Sequence, residues 1–207
     1  MPETNCTDLS EHPLLIVISG PSGVGKDSVI SRLREKDPSL AFVVTAASRE
    51  PRPGEQHGVD YYFFPPEEFQ RRIEAGEFLE NAVVYGELKG ILKKEVLKWM
   101  DTGSDVVLRV DVQGAATIRE KAPDALMIFL TTETDETLIE RLTARGTETP
   151  EELQIRIETA RNELACVGEF DYKVVNREGC MEEAVDVILA IIKAEHHAVN
   201  HRQVKLS

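Results

Sequence analysis

The sequence predicts an α/β fold in which a mainly parallel central sheet is covered by helices on both faces. Two observations predict it. Short apolar runs of strand type alternate along the chain with segments whose apolar residues recur at helical spacing. The first apolar run also ends in a glycine-rich loop that leads directly into a helical pattern, which is typical of a phosphate-binding strand, loop and helix. The length of 207 residues suits one compact domain.

The glycine-rich loop lies between the apolar run 14–19 and a helical segment that begins at Lys26. The spacing Gly20-x-x-x-x-Gly25-Lys26 lets backbone N–H groups turn toward one anion, and the helix N-terminus and the lysine add positive charge. We therefore expect a polyphosphate here; a tight turn without a ligand is the alternative. The next residue is usually Ser or Thr, whose hydroxyl binds Mg2+, but this chain has Asp27. We expect its carboxylate to bind Mg2+ directly or through water.

An irregular segment follows the first helix. A short β-branched strand is predicted over 42–45, and prolines and glycines exclude a helix from 48–64. Within this segment Arg49 and Arg52 flank a proline that fixes the backbone. Two guanidinium groups held in this way suit a single phosphate, and a solvated basic turn is the alternative.

A helix over 66–75, a strand over 78–85 and a helix over 93–100 are predicted next. Glu80 interrupts the apolar pattern of the strand. A buried carboxylate costs free energy unless it has a partner, so contact with a ligand or an arginine is one interpretation. A glutamate exposed at the edge of a sheet is the other.

The second half of the chain continues the alternation of strands and helices. Asp111 ends an apolar strand, where it would serve either as a metal-side carboxylate or as a helix cap. Thr149 and Glu152 form a capping box that starts a new helix. The predicted strands span 105–111, 125–130 and 172–176, and the predicted helices run to 121 and over 138–145, 150–165 and 184–192.

Two of these helices carry arginines on either side of a glycine. Arg141 and Arg145 are four residues apart and so share one helix face, and Arg156 lies in the next helix. The pair of helices is typical of a lid that closes over phosphates. Arginines paired with the many nearby glutamates are the alternative.

Composition excludes several functions. The formal net charge of −13 argues against general binding to nucleic acid or to an anionic membrane, because both need clustered cations. The three cysteines have no metal-ligand spacing and favour a reducing, cytoplasmic setting. Residues 1–12 have neither the cationic start nor the apolar centre of a secretory signal. Whether the protein is a monomer or a homo-oligomer stays open.

Taken together, these residues resemble guanylate kinase, a P-loop nucleoside monophosphate kinase that phosphorylates GMP with ATP. The resemblance covers about 14–194 and is most specific in Ser48-Arg-Glu-Pro-Arg-Pro-Gly-Glu-Gln-His-Gly-Val-Asp-Tyr-Tyr-Phe, which looks like the GMP-binding segment of the family. Asp111-Val-Gln-Gly and Arg145-Gly-Thr-Glu-Thr also match family motifs. The resemblance implies the P-loop NTPase three-layer fold with a parallel central sheet, an inserted GMP-binding subdomain and a helical lid.

The resemblance also implies the role of each site residue. ATP, with Mg2+, would lie on Gly20, Pro21, Ser22, Gly23, Val24, Gly25, Lys26, Asp27 and Ser28, with Asn176 near adenine. GMP would contact Thr45, Arg49, Arg52, Glu55, Tyr61, Glu80, Lys89 and Asp111. Lys26, Arg49, Arg141, Arg145 and Arg156 would act in catalysis. We expect tails over 1–12 and 196–207 and one domain over 13–195, with core segments 13–44, 96–135 and 166–195, a GMP-binding region over 45–95 and a lid over about 136–165.

Two further positions depart from the family pattern. Lys89 stands where the family usually has a phosphate-binding tyrosine, and Ile91 where it usually has a serine that contacts guanine. Guanine selectivity is therefore expected to rest more heavily on Glu80. A ribose 1,5-bisphosphate kinase and a non-catalytic guanylate-kinase-like binding module are the alternatives. The first lacks the Arg-x-Pro-Arg-x-Gly-Glu segment, and the second usually has a damaged phosphate-binding loop.

Overall fold

The computed structural model of the chain describes residues 12–84, 86–144 and 149–206. The N-terminal tail predicted over 1–12 therefore lies outside the described residues except for His12. In chain order the strands are β1 (Leu15–Ser19), β2 (Ala41–Phe42), β3 (Ala46–Ala47), β4 (Tyr62–Phe63), β5 (Phe78–Val84), β6 (Glu87–Leu92), β7 (Val106–Arg109), β8 (Leu126–Thr131) and β9 (Tyr172–Val175). The α-helices are α1 (Lys26–Lys36), α2 (Pro66–Glu74), α3 (Lys93–Met100), α4 (Val112–Lys121), α5 (Asp135–Thr143), α6 (Pro150–Ala165) and α7 (Met181–His196).

The central sheet has five parallel strands in the order β2-β7-β1-β8-β9. Its strands are rich in Leu, Ile and Val, and every residue of β1 and β8 is buried. Such continuous apolar runs are expected of strands covered by helices on both faces. One apolar cluster includes residues of α1, α5 and α7, and another includes residues of α3 and α4. The predicted α/β fold with a parallel central sheet is confirmed.

A second sheet has four strands in the order β4-β3-β6-β5. The pairs β3/β6 and β5/β6 are antiparallel, and β3/β4 is parallel. Its own small apolar cluster includes Phe69 and Phe78, whose rings stack with centroids 4.5 Å apart. The single strand predicted over 42–45 is wrong, because the chain leaves the central sheet after Phe42 and joins the second sheet at Ala46. Local composition does not indicate this change of sheet.

Several helix boundaries follow from the caps. α6 begins with the predicted capping box, in which the Thr149 hydroxyl accepts from the Glu152 backbone N–H and the Glu152 carboxylate accepts from the Thr149 N–H. α5 begins three residues earlier than predicted because Thr134 caps it. α7 is longer than the predicted helix at both ends.

The C-terminal residues are packed against the core, so the prediction of a polar tail from 196 onward is wrong. His196 is the last residue of α7, and its Nε2 lies 2.7 Å from Asp105 Oδ2. Arg202 donates to Glu195 and, at 3.1 Å, to the carbonyl of Ala125. Val204 and Leu206 pack against the α3 and α4 side of the core. These contacts join residues far apart in sequence, which the local polar composition cannot reveal.

No helix in the described ranges combines the length and the apolar character that a bilayer crossing requires.

Candidate active site

The glycine-rich loop connects β1 to α1, as predicted. Gly20 and Gly25 have φ angles of 142° and 90°, a region that other residues rarely adopt. A Cβ on Gly20 would lie 2.0 Å from the Leu130 carbonyl oxygen, and one on Gly25 would lie 2.6 Å from Asn176 Nδ2. Both positions therefore require glycine for the backbone conformation and for the close approach of β8 and of Asn176.

Asn176 and Arg141 hold the loop by hydrogen bonds to its Val24 carbonyl. Asn176 is buried, and its Nδ2 donates to the Val24 carbonyl at 2.8 Å. Arg141 donates to the carbonyl of Asn176 at 3.0 Å and to that of Val24 at 3.4 Å. Among the described residues the Asn176 Oδ1 finds no hydrogen-bond partner. Both predicted site residues thus contact the loop at Val24, and their contacts with adenine and phosphate stay predictions.

Lys26 lies at the start of α1 and folds back over the loop. Its Nζ donates to the carbonyls of Gly20 and, at 2.9 Å, of Pro21. Burial lowers the pKa of Lys26 to about 8, although Glu163 opposes the shift. A partly desolvated ammonium group held by carbonyls is a cation that a phosphate would stabilise.

Helix α6 reaches the loop at Ser22. Arg156 donates to the Ser22 hydroxyl at 3.0 Å, which places this predicted residue at the loop. The Glu163 carboxylate accepts from the Ser22 backbone N–H at 3.3 Å, and burial raises the pKa of Glu163. The sequence analysis missed Glu163, because no local pattern indicates that a glutamate late in a helix would lie against a loop 141 residues earlier. Arg145 lies outside the described residues.

A cavity of about 220 Å3 joins the phosphate-binding loop to the second sheet. It brings together residues that the sequence analysis placed on both nucleotides. The positions that line it include Lys26, Thr45, Glu80, Lys89, Ile91, Arg109 and Asp111.

Glu80 lies inside this cavity and is only 8% exposed. Burial, and then the nearby charge of Asp111, raise the pKa of Glu80 to about 7, while Lys121 opposes the shift. The edge-exposed alternative for Glu80 is therefore wrong. Asp111 is the N-cap of α4, since its Oδ1 accepts from the Gly114 N–H at 2.7 Å. Asp111 thus acts as a helix cap and also lines the cavity.

The Arg49 guanidinium is held by Glu55. Its Nη1 and Nη2 donate to the two Glu55 oxygens at 2.7 and 2.8 Å. Glu55 also accepts from the Arg52 backbone N–H at 2.8 Å, and the Tyr61 ring lies 5.2 Å from the Arg49 guanidinium carbon. Hydrogen bonds from Arg49 and Arg52 lower the pKa of Glu55 to about 2. The predicted phosphate-binding residues of this segment are thus gathered around one carboxylate.

Asp27 pairs with a residue that the sequence analysis did not single out. Its Oδ1 lies 2.8 Å from Nη1 of Arg109, the last residue of β7. The described residues contain no group of three or more His, Cys, Asp or Glu side chains that could hold a metal ion. The role of Asp27 as a Mg2+ ligand stays a prediction.

Comparisons with known proteins identify the family of the chain. Residues 12–195 match the family model described as guanylate kinase. A relative in Oryza sativa subsp. japonica, named guanylate kinase 2, chloroplastic/mitochondrial, is 52% identical over 196 residues, which are 94% of this chain and 69% of that protein. The guanylate kinase of Clostridium perfringens strain SM101 is 44% identical over 88% of this chain and 83% of its own.

A solved structure gives the same result for the fold. The crystal structure of guanylate kinase from Anaplasma phagocytophilum matches with a TM-score of 0.70 and 29% identity, and the match covers 91% of this chain and 89% of that one. The chain therefore belongs to the guanylate kinase family and is a nucleoside monophosphate kinase.

Proposed function

We propose that this protein transfers the γ-phosphoryl group of ATP to GMP, giving ADP and GDP, and that it also accepts dGMP. One observation carries the proposal: Lys26 of the phosphate-binding loop and the buried carboxylate Glu80 line the same cavity. A cation that would bind phosphate and a carboxylate that would bind the base, lining one cavity, suit the transfer of a phosphoryl group between nucleotides. Family membership supports the same reaction.

Glu80 would select guanine. Guanine offers two adjacent donors, N1–H and the N2 amino group, and one ionised carboxylate accepts from both, whereas adenine has an acceptor at N1. Ile91 is buried, lines the same cavity and has no polar group to offer the base. Lys89 also lines the cavity, where its ammonium group would attract the phosphate of GMP.

The transfer itself needs cations and positioning more than proton chemistry. The GMP phosphate is already ionised, so it attacks the γ-phosphorus in line without a general base. Lys26 and the arginines would offset the charge that otherwise keeps two phosphates apart. Arg49 is preorganised by Glu55, and Arg156 lies at the loop. Closure of α5 and α6 and of the second sheet would exclude water and so prevent wasteful hydrolysis.

Mg2+ would accompany ATP and neutralise charge on its phosphates. Mg2+ in proteins keeps several waters and usually takes one or two carboxylates in addition to substrate phosphates. Asp27 fits this use, because its carboxylate is 78% exposed beside its contact with Arg109 and leaves room for a bridging water. Asp27 would therefore be the carboxylate that Mg2+ reaches.

A coupled assay tests the reaction. ATP is offered with GMP, dGMP, AMP and ribose 1,5-bisphosphate in turn, and ADP formation is followed. We expect turnover with GMP and dGMP alone. Turnover of ribose 1,5-bisphosphate would favour the bisphosphate kinase, and binding of GMP without any turnover would favour the non-catalytic module. The intact loop glycines and Lys26 favour the enzyme over that module.

We also propose that the protein acts in the cytoplasm. The described cysteines, Cys166 and Cys180, are free thiols, as a reducing compartment requires. The rice relative is named for plastids and mitochondria, so fractionation of cells that make the full chain is the test. Recovery with an organellar marker would overturn the proposal.

A further inference from the structure

Arg109 lines the same cavity as Lys26 and Glu80 and pairs with Asp27. It ends β7, next to β1 and in register with Ile18, just before the phosphate-binding loop. The other three residues of β7 are buried, whereas the Arg109 side chain is 50% exposed. Its guanidinium is therefore displayed at the carboxyl edge of the central sheet, where α/β proteins bind their ligands.

The surroundings of Arg109 are those of a phosphate contact. Arg109 lines the cavity that holds Lys26 and Glu80, and also a smaller cavity of about 110 Å3 that includes Thr45. Its positive charge contributes to the lowered pKa of Lys26, so the two cations lie close enough to repel each other. An anion placed between the two cations would relieve that repulsion.

Asp27 satisfies Arg109 only weakly in the empty protein. Their contact of 2.8 Å joins side chains that are 50% and 78% exposed. Exposed ion pairs of this kind add little to stability. A guanidinium bound to a phosphate makes stronger, often bidentate, hydrogen bonds. Exchange of the carboxylate for a phosphate is therefore favourable.

We propose that Arg109 is a further phosphate-binding residue of this kinase, which contacts ATP where its terminal phosphates meet GMP, and that Asp27 holds Arg109 in position until ATP arrives. The proposal rests on the proposed function. Asp27 would then have a second role besides binding Mg2+. A Ser or Thr hydroxyl at that position could not take this role, since neither carries the charge to anchor a guanidinium.

Calorimetric binding of β,γ-methylene-ATP, with and without Mg2+, tests both parts. In EDTA, Arg109→Met should weaken binding about 10- to 100-fold, because hydrogen bonds to charged groups are worth about 1.5–3 kcal/mol. Arg109→Lys should restore part of the loss. Arg119→Met is the matched control, since Arg119 lies on α4, pairs with Glu169 and does not line the cavity. Binding by Arg109→Met within twofold of the unaltered protein would overturn the proposal.

Asp27→Asn separates the anchoring role from the metal role. In EDTA the variant should bind the analogue a few fold more tightly, because Asp27 no longer competes for Arg109 and no longer repels the phosphates. The anchoring part predicts a smaller gain when Asp27→Asn is made in the Arg109→Met protein. An equal gain in both backgrounds would overturn the anchoring part, since it would reflect lost repulsion alone, and a loss of the gain that Mg2+ gives reports the metal role separately. If the unaltered protein does not turn over GMP, the proposed function is refuted. The binding data in EDTA would still decide whether Arg109 contacts the phosphates of the ATP analogue.

Discussion

We predict that ionised Glu80 lowers the stability of the empty protein and strengthens the binding of GMP. The carboxylate is buried in the empty cavity, and its pKa rises from the ordinary 4.5 to about 7. Each pKa unit is worth about 1.4 kcal/mol, so ionised Glu80 costs the empty protein about 3 kcal/mol. Because the folded-state pKa is the higher one, this cost is absent below the unfolded pKa of 4.5, grows as the pH rises, and is complete above about 7.

Glu80→Gln removes that charge without changing the shape of the side chain. We expect the variant to be more stable than the unaltered protein by about 1–3 kcal/mol at pH 8, the lower figure allowing for the burial of a neutral amide. Near pH 5, where ionised Glu80 costs less than about 1 kcal/mol, most of the gain should disappear. The KM for GMP should rise about 10- to 100-fold, because an amide accepts from only one of the two guanine donors and the remaining hydrogen bond loses its charge.

Urea unfolding at pH 5 and pH 8, together with steady-state kinetics, measures both effects. Glu74→Gln is the control, because Glu74 is exposed at the end of α2. A gain in stability of the same size at both pH values would contradict the reasoning, since it could not arise from ionisation. An unchanged KM for GMP would show that Glu80 does not meet the base.

Three other predictions concern the phosphates and the packing of the C-terminal residues. Because the pKa of Lys26 is about 8, binding of β,γ-methylene-ATP should weaken as the pH rises from 8 to 9.5, and a constant dissociation constant would contradict this. Glu55→Gln should raise the KM for GMP about tenfold with less effect on kcat, since Arg49 loses a charged bidentate partner. A KM equal to that of the unaltered protein in steady-state kinetics would refute this. Arg202→Met should lower the free energy of unfolding by about 1–3 kcal/mol because the Glu195 carboxylate and the Ala125 carbonyl each lose a donor; a urea midpoint equal to that of the unaltered protein would contradict it.

Local signals in the sequence were enough for much of the fold. The capping box at Thr149 and the helical spacing over 93–100 depend on residues within four positions of each other, and the structure has both. The apolar runs of the central sheet likewise predict buried parallel strands. The phosphate-binding loop is a local pattern too, because its glycines and Lys26 all belong to one turn.

Contacts between distant segments could not be predicted in the same way. The pairing of Asp27 with Arg109 and the contact of Glu163 with Ser22 join residues that only the fold brings together. Glu80 alone left two interpretations open, because its burial depends on how β5 packs against α4. The polar residues after 196 gave no sign of their docking, since Arg202 finds its partners on other parts of the chain.

The hydrogen bond that Asn176 donates to Val24 joins an early segment of the chain to a late one. Asn176 comes 152 residues later in the chain, so a ribosome has made β1, α1 and every loop residue long before their buttress exists. A nascent chain that ends before β9 contains every glycine of the loop but lacks the Asn176 side chain that hydrogen-bonds to it. The loop thus gains this hydrogen bond only after most of the chain has emerged.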